Sequence, residues 1–383
     1  MLSRDRKRKL VVAPFLVIER FFSRRNRKPA GLSGLKKALI VEIWGIGDLA
    51  MMTSVIGPLR KSFPEASFDL LCKPLARNIL AGQGFFSEFI CFDFPWTRFH
   101  GKYRIWNWDW LGIIRLIMRL RKARYDLIID ARGDPRNNLL SFLINARRRL
   151  GYDWSGGGIF LTDVLGLDYR DKHRVEAWLN ILDYLKLDIS EARPKLCVTQ
   201  KSRKQAEELL NGFGITKENL LVGIHPGARI KTRRWDIKKF ARVAEYARDK
   251  YKARIIVFVE PQGYGEDIPI EGDFLKLKCS LDNLAAVIKR LNLLVCNDGG
   301  PMHIAAALEV PVIGVFGPTN PVKFGPYSDN STVIIDNSFS CRPCFDYCSY
   351  PEALCLAGID AREVMAKMDK YFGGHSRGNN QYA

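Results

Sequence analysis

Short apolar runs alternate with amphipathic stretches along this chain, and that order constrains it most, because it is the mark of parallel βαβ units. The first unit is plain: residues 38–44 (ALIVEIW) form a strand, Gly45-Ile46-Gly47 a turn and Leu49–Phe63 a helix that Pro64 stops, with Phe68–Cys72 as the second strand. Asp126–Ala131 is a further strand, followed by Arg132-Gly133-Asp134 and a helix through Ala146. His173–Leu187 reads as a helix and Leu196–Thr199 as the last short strand of the first half. After the helix SRKQAEELLNGFG the pattern restarts. Strands at Leu220–His225, Arg254–Val259, Leu293–Cys296 and Val312–Phe316 enclose helices at Ile237–Tyr251, Leu281–Leu291 and Met302–Leu308. No short-period repeat is visible. The expectation is an α/β protein with two parallel-sheet domains in series and a ligand site at the strand carboxyl ends.

The chain, at 383 residues, exceeds one compact core and fits two domains of ordinary size. The divisions expected are a basic arm over 1–37, a first domain over 38–195, a second over 196–360, and a C-terminal helix and tail over 361–383. Charge is unevenly spread: the net value is +19, and residues 1–37 alone hold 12 basic and 2 acidic side chains. That arm alternates basic tracts with an apolar patch (VVAPFLVI), so it reads equally as a segment lying on an anionic membrane surface or as a solubilising tail. Its apolar run is too short to span a bilayer and is cut by Pro14, and no small-residue cleavage site follows. Around residues 95–124, Trp96, Trp106, Trp108 and Trp110 precede the basic amphipathic stretch IIRLIMRLRKAR. It reads first as a helix packed on the sheet, its arginines reaching for solvent, and alternatively as a surface helix whose aromatic and basic face meets an interface or acceptor. The basic balance alone would also admit nucleic acid, but no helix-turn-helix, zinc finger or aromatic RNA platform supports it.

The most informative stretch is NLLVCNDGGPMHIAAALEVPVIGVFG. A buried strand ends at Asn297-Asp298, Gly299 and Gly300 allow close backbone approach, and Pro301 suits the first helical position. The N–H groups of Gly300, Met302 and His303, with the helix dipole, form an anion site. Singly, Asp298 reads as a helix cap and His303 as a surface histidine; together at a strand end they read as a ligand site. A second anion-binding element is His225-Pro226-Gly227-Ala228, followed by Arg229, Lys231, Arg233 and Arg234, with Trp235 expected to anchor the loop. Cations there suit a diphosphate leaving group whose charge grows as its bond breaks.

HPGARIKTRRWDIKKFARVA, CNDGGPMHIAAALEVPVIGVFGPTNPVKFGP and IWGIGDLAMMTSVIGPLRKSFP resemble bacterial glycosyltransferase family 9, the ADP-heptose:lipopolysaccharide heptosyltransferases. DARGDPRNNLL, RRRLGYD and GGGIFLTD look like that family's N-terminal half, so the resemblance runs in order over roughly residues 38–360. It implies a GT-B fold, two Rossmann-like domains facing across a cleft with the donor in the second, and an inverting transfer that requires no metal. By motif, Asp298, Gly299, Gly300 and His303 match the donor-diphosphate turn, with Gly227, Arg233 and Arg234 beside it. Arg233 stands where the family usually has Lys, and Gly299 where it usually has Thr. Asp48 matches the proposed general base, and Gly47, Arg132 and Asp134 are placed on the acceptor side. The acidic residue that contacts the donor ribose falls in VEPQGYGED, with Glu266 the nearer fit and Glu260 the alternative. The implied partners are a nucleotide-sugar, with ADP-heptose as the family's donor, and a lipopolysaccharide or glycolipid acceptor. The implied location is cytoplasmic, with peripheral contact at the inner face of the inner membrane.

Asp48 has a structural alternative, a cap for the helix that starts at Leu49. Gly45-Ile46-Gly47-Asp48-Leu49-Ala50 also fits the dinucleotide-binding fingerprint G-x-G-x-x-A, which makes an oxidoreductase the rival class. Against it, the second strand ends in Lys73 where a ribose needs an acid, and Asp48 would repel a pyrophosphate. Of nine cysteines, Cys72, Cys91, Cys197, Cys279 and Cys296 read as small core residues of a protein kept in a reducing compartment. Cys341, Cys344, Cys348 and Cys355 form a separate cluster, either a structural metal site or a local staple.

Overall fold

The structure, a computed structural model, describes residues 32, 34–98, 104–168, 171–344 and 348–375. The basic arm expected over 1–37 therefore lies almost wholly outside the described residues, as does the tail after 375. The chain divides into two compact units, one of residues up to Arg77 with Gln83–Arg193, the other of Asn78–Gly82 with Pro194 onward.

In chain order the first half carries β1 (Lys37–Glu42), α1 (Ile46–Met52), α2 (Ile56–Ser62), β2 (Ser67–Cys72), α3 (Ala76–Leu80), β3 (Glu88–Cys91), α4 (Trp110–Lys122), β4 (Leu127–Asp130), α5 (Pro135–Ile144), β5 (Arg148–Gly151), β6 (Asp163–Val164) and α6 (Arg174–Tyr184). The second half carries α7 (Gln200–Gly212), β7 (Leu221–His225), α8 (Ile237–Tyr251), β8 (Arg254–Phe258), β9 (Leu275–Leu277), α9 (Leu281–Ile288), β10 (Leu293–Asn297), α10 (Gly300–Ala307), β11 (Val312–Phe316), α11 (Pro321–Phe324), β12 (Thr332–Ile335), α12 (Leu354–Ala357) and α13 (Ala361–His375).

Each unit holds a six-stranded sheet, in the orders β3-β2-β1-β4-β5-β6 and β12-β11-β10-β7-β8-β9. Every pairing is parallel. Written from their first strands, the two orders are the same: the chain moves outward on one side, returns, and moves outward on the other. The reversal falls between β1 and β4 in one sheet and between β7 and β10 in the other, which is where such sheets open a crevice. The central strands are apolar along their middles because helices cover both faces, with Glu42, Asp130, His225 and Asn297 at their carboxyl ends; β10 and β11 are buried at every position. At Gly223 in β7 a Cβ would lie 2.4 Å from the Leu291 side chain and 3.0 Å from Phe258, so the glycine lets α9's end close on the sheet.

Several elements depart from expectation. The helix expected over Leu49–Phe63 is two α-helices joined by a 3-10 turn at Thr53–Val55. Leu196–Thr199 is not a strand: Leu196 donates its N–H to the Ala307 carbonyl at 2.8 Å, outside either ladder. The expected surface helix is α4, and its inner face (Ile113, Leu116, Leu120) packs into the first unit's core with Phe94 and Trp96. No helix among the described residues is long and apolar enough to cross a membrane.

Candidate active site

The switch point of the second sheet is built around Asn297, the last residue of β10 and almost fully buried. Its amide donates to the Pro226 carbonyl at 2.6 Å and accepts the Trp235 N–H at 3.0 Å. One side chain thus ties β10 to the His225–Gly227 turn and to the cationic loop. Trp235 is fully buried against Phe240 and donates its ring N–H to the Ile359 carbonyl at 3.1 Å, so it anchors the loop as expected.

Asp298 does not point into solvent. Its Oδ2 accepts from Arg233 at 3.0 Å and from the Thr319 hydroxyl at 2.7 Å, and the side chain is 4% exposed against 27% for Arg233. The buried carboxylate aims the guanidinium outward, so the group displayed to an anion is Arg233. Arg234 is held in the same manner: Nε donates to the Ala228 carbonyl at 2.7 Å, Glu260 lies 3.8 Å away, and the guanidinium stacks 4.3 Å above the Tyr264 ring. Glu260 packs against Gly227, where a Cβ would come within 2.5 Å of its carboxyl; burial raises its pKa and Arg234 offsets part of that rise. Glu266, the nearer fit by motif, is exposed, and Glu260 is the acid that the fold brings to the turn. Arg229 and Lys231 remain on the exposed side of the loop.

Helix α10 starts at Gly300, two residues before the expected Met302, with Gly299 as its cap and Pro301 at its second position. Gly299 has φ −176°, an extended conformation open to any residue, and a Cβ there meets nothing nearer than 3.9 Å. The backbone does not demand glycine at this position. The first turn of a helix presents N–H groups without intrahelical acceptors, and such an end can receive an anion. His303 is buried rather than on the surface. His225 is buried too, and burial lowers its pKa to about 4, so it adds no charge near neutral pH.

In the first unit, Asp48 sits in the first turn of α1. Oδ2 accepts the Gly45 N–H at 3.1 Å and Oδ1 accepts from Arg132 at 2.9 Å. It caps the helix, as the structural alternative for this residue expects, and also forms an ion pair with Arg132. The Gly45–Gly47 turn already holds an anion on its N–H, which leaves a pyrophosphate no place there. Arg132 is fixed from its other face, its guanidinium 4.1 Å from the Trp44 ring. Asp130 ends β4 and accepts from the Arg132 N–H at 2.6 Å and from Asn137 at 2.7 Å; burial raises its pKa to about 6. Asp134 caps α5 and is engaged by Arg136 at 2.6 Å; burial alone would raise its pKa, but the Arg136 hydrogen bonds and charge hold it low. Gly47 lies within the first turn of α1.

Two groups here carry no sequence signal. Glu42, at the end of β1, is 2% exposed, and burial followed by the charge of Asp48 pushes its pKa up to about 8. Arg174, also buried, faces the same carboxylates from α6 and stacks 5.6 Å from Trp154. An apolar strand end and an ordinary helix start hide both charges in the sequence.

At the cysteine cluster, Cys355 is buried in α12 and the Cys348 thiol donates to the Glu352 carbonyl at 3.5 Å. Among the described residues no group of three or more His, Cys, Asp or Glu is placed to hold a metal ion.

Residues 113–354 match the model of glycosyltransferase family 9 (heptosyltransferase). Lipopolysaccharide heptosyltransferase 3 of Escherichia coli is 26% identical over 356 residues, 87% of this chain and 98% of its own length. Among solved structures, the family 9 glycosyltransferase of Veillonella parvula superposes with a TM-score of 0.72 at 22% identity, over 88% of this chain and 97% of that one. The ADP-heptose lipopolysaccharide heptosyltransferase II of E. coli does so with a TM-score of 0.67 at 21% identity, over 89% and 100%. The two six-stranded parallel sheets are thus those of the GT-B heptosyltransferases. The chain belongs to glycosyltransferase family 9, and it is a glycosyltransferase.

Proposed function

We propose that the enzyme transfers heptose from ADP-heptose to the core of a lipopolysaccharide or a related glycolipid, with inversion at the anomeric carbon. The observation that carries this reading is the pair of guanidiniums at the β7–β10 switch, Arg233 and Arg234, each turned outward by a more buried carboxylate. Arg233 is tied to Asp298, two residues before α10, so a nucleoside diphosphate there would meet cationic side chains and the positive end of a helix dipole. The lipopolysaccharide heptosyltransferases among its relatives support the choice of sugar and acceptor.

In this mechanism the first unit supplies the base. Asp48 takes the proton of the acceptor hydroxyl as the C–O bond forms, and the bond from the anomeric carbon to the diphosphate breaks. Arg132 and the helix end favour the carboxylate form, so Asp48 accepts its proton late, when attack has acidified the hydroxyl. Arg132 and Asp134 stand on the acceptor side, with Gly47 in the turn below. In the second unit Arg233, Arg234 and the α10 N–H groups take up the charge that grows on the leaving diphosphate, the task a divalent cation performs elsewhere, so transfer requires no metal. Asp298 acts through Arg233 as a positioning residue. Glu260 is the acid we assign to the donor ribose. The same reading takes the protein to work in the cytoplasm, at the inner face of the inner membrane.

A donor panel followed by thermal shift in the presence of EDTA tests the assignment. ADP and ADP-heptose are expected to raise the melting temperature without added metal. Stabilisation by UDP-sugars and not by ADP would overturn the donor, and stabilisation by NAD alone would restore the oxidoreductase alternative.

A further inference from the structure

We infer that the outer face of α4, with the arginine-lined hollow beside its C-terminal end, docks the first unit on an anionic phospholipid surface. The inference rests on the lipid-linked acceptor proposed above. Its observations, however, lie away from the site.

Helix α4 has two apolar faces. Ile113, Leu116 and Leu120 are buried in the core. Trp110, Leu111, Ile114 and Met118 are 47%, 67%, 50% and 55% exposed. At 3.6 residues per turn these four fall within an arc of about 100° that points away from the buried three. Trp106 and Ile105, just before the helix, extend the patch and are 75% and 54% exposed. Arg115 and Lys122 line one side of the stripe, and Arg104 lies at its start, all exposed. An exposed stripe of aliphatic and indole side chains rimmed by basic residues is the composition of helices that lie in the plane of a bilayer interface.

A second observation extends the basic rim. Near the C-terminal end of α4, Arg121, Arg124, Arg147 and Arg149 line an open hollow of about 580 Å³. Asp126 also lines it, but its carboxylate already accepts the N–H groups of Lys36 and Lys37. Arg121 joins the two features, because it donates to the Leu143 carbonyl of α5 at 3.0 Å. Phe142 and Leu143 are themselves exposed, so apolar and cationic groups alternate across the patch. The hollow suits lipid phosphates, and the stripe suits the acyl boundary. A second copy is a poorer occupant, since a two-fold contact would set the basic rims against each other. An acidic protein surface would satisfy the arginines but leave the tryptophans and the stripe without an apolar partner.

The patch also leads to the site. Trp110 packs on Trp108 at 5.2 Å, Trp108 on Trp96 at 5.4 Å, and Trp96 donates to Asn137, which holds Asp130. A membrane under α4 would therefore bring a lipid-anchored acceptor toward the carboxyl end of β4, which Asp130 closes.

Vesicle co-sedimentation of the full chain tests the docking face. Wild type is expected to bind phosphatidylethanolamine–phosphatidylglycerol vesicles and to bind phosphatidylcholine vesicles at least about tenfold more weakly. The exposed substitutions Ile114→Glu and Met118→Glu together, and separately Arg115→Glu with Lys122→Glu, are each expected to weaken binding to anionic vesicles about tenfold. Both variants should keep the donor-induced thermal shift and the transfer to a water-soluble acceptor, which shows that they fold. Undiminished vesicle binding by both variants would overturn the inference and assign binding to residues 1–31. Equal binding to neutral vesicles would overturn it too, as would dimer-to-monomer dissociation in the variants with vesicle binding intact. Loss of the donor response in wild type would instead break the functional reading, while the vesicle result stood.

Discussion

The two units repeat one strand order and surround the ion pairs at its switch point with different groups. At the β7–β10 switch the anions are inside and the cations outside: Asp298 and Glu260 are 4% and 16% exposed, their partners Arg233 and Arg234 27% and 26%. At the β1–β4 switch the acid is again the less exposed partner, Asp48 at 20% and Arg132 at 30%, but here the pair sits above a floor of buried carboxylates at Glu42 and Asp130. A shared topology thus fixes where a site opens, and the side chains placed at each switch fix the chemistry offered there. The second unit sets two guanidiniums over more buried acids near a helix start, and the first pairs Asp48 of a helix's first turn with Arg132.

That contrast can be broken most sharply at Asp48. Asp48→Ala is expected to lower kcat about 10³-fold with the donor-induced thermal shift unchanged. A fall of less than tenfold would remove Asp48 as the base and leave it a helix cap. On the other side, Arg233→Ala should reduce kcat/KM about 10²-fold. It should also lower the melting temperature, because Asp298 would stay buried without its guanidinium. Arg233→Lys should recover most of both; a variant that binds ADP as wild type does would show that the receptor lies elsewhere.

Glu42 offers a thermodynamic probe of the buried floor. Its folded pKa, about 8, lies above its ordinary value of 4.5. Between those two values the unfolded chain releases a proton that the folded protein retains, so this residue makes stability fall as pH rises through that window. Glu42→Gln should remove that slope, and its melting temperature should exceed that of wild type by more at pH 8 than at pH 5. A gap that stays constant with pH would mean that Glu42 is ionised when folded. The smallest effect is expected at Gly299, where a side chain has room. Gly299→Thr should leave folding unchanged and tighten ADP binding by no more than about fivefold, the worth of one added hydrogen bond. A loss of binding in calorimetry would show that the ligand needs the glycine's close approach.

Much of the second unit was legible because its signals are local. Helix α8 spans the expected Ile237–Tyr251 and β11 the expected Val312–Phe316, an amphipathic stretch capped by Asp236 and a wholly apolar strand. The strands that went unread are β3, β5, β6, β9 and β12, two to four residues each. RRLG and LKL carry too few apolar residues to show a period, and they are strands because a neighbouring ladder recruits them. Leu196–Thr199 misled in the opposite direction: it is apolar, but its leading N–H is taken by the end of α10. At the candidate sites, motif spacing named Asp48, Asp298, Arg233 and Arg234 but not what each is paired with, since the partners lie 65 residues apart for Arg233 and Asp298 and 84 for Arg132 and Asp48. The choice between Glu266 and Glu260 turned on the same blindness, because only packing against Gly227 separates them.

Asn297 gives the second unit a property that no single contact conveys. Because one amide fastens β10 to the His225–Gly227 turn and to the backbone of Trp235, the two loops flanking the anion receptor form one mechanical part. Dipoles fixed in this way need little reorganisation when charge moves onto a leaving group, which is the condition under which they stabilise a transition state most. Asn297→Asp keeps the acceptor and loses the donor, setting a carboxylate against the Pro226 carbonyl. The loops would then be free to solvate each state of the donor separately, and the advantage of being built in advance for the last one would be gone.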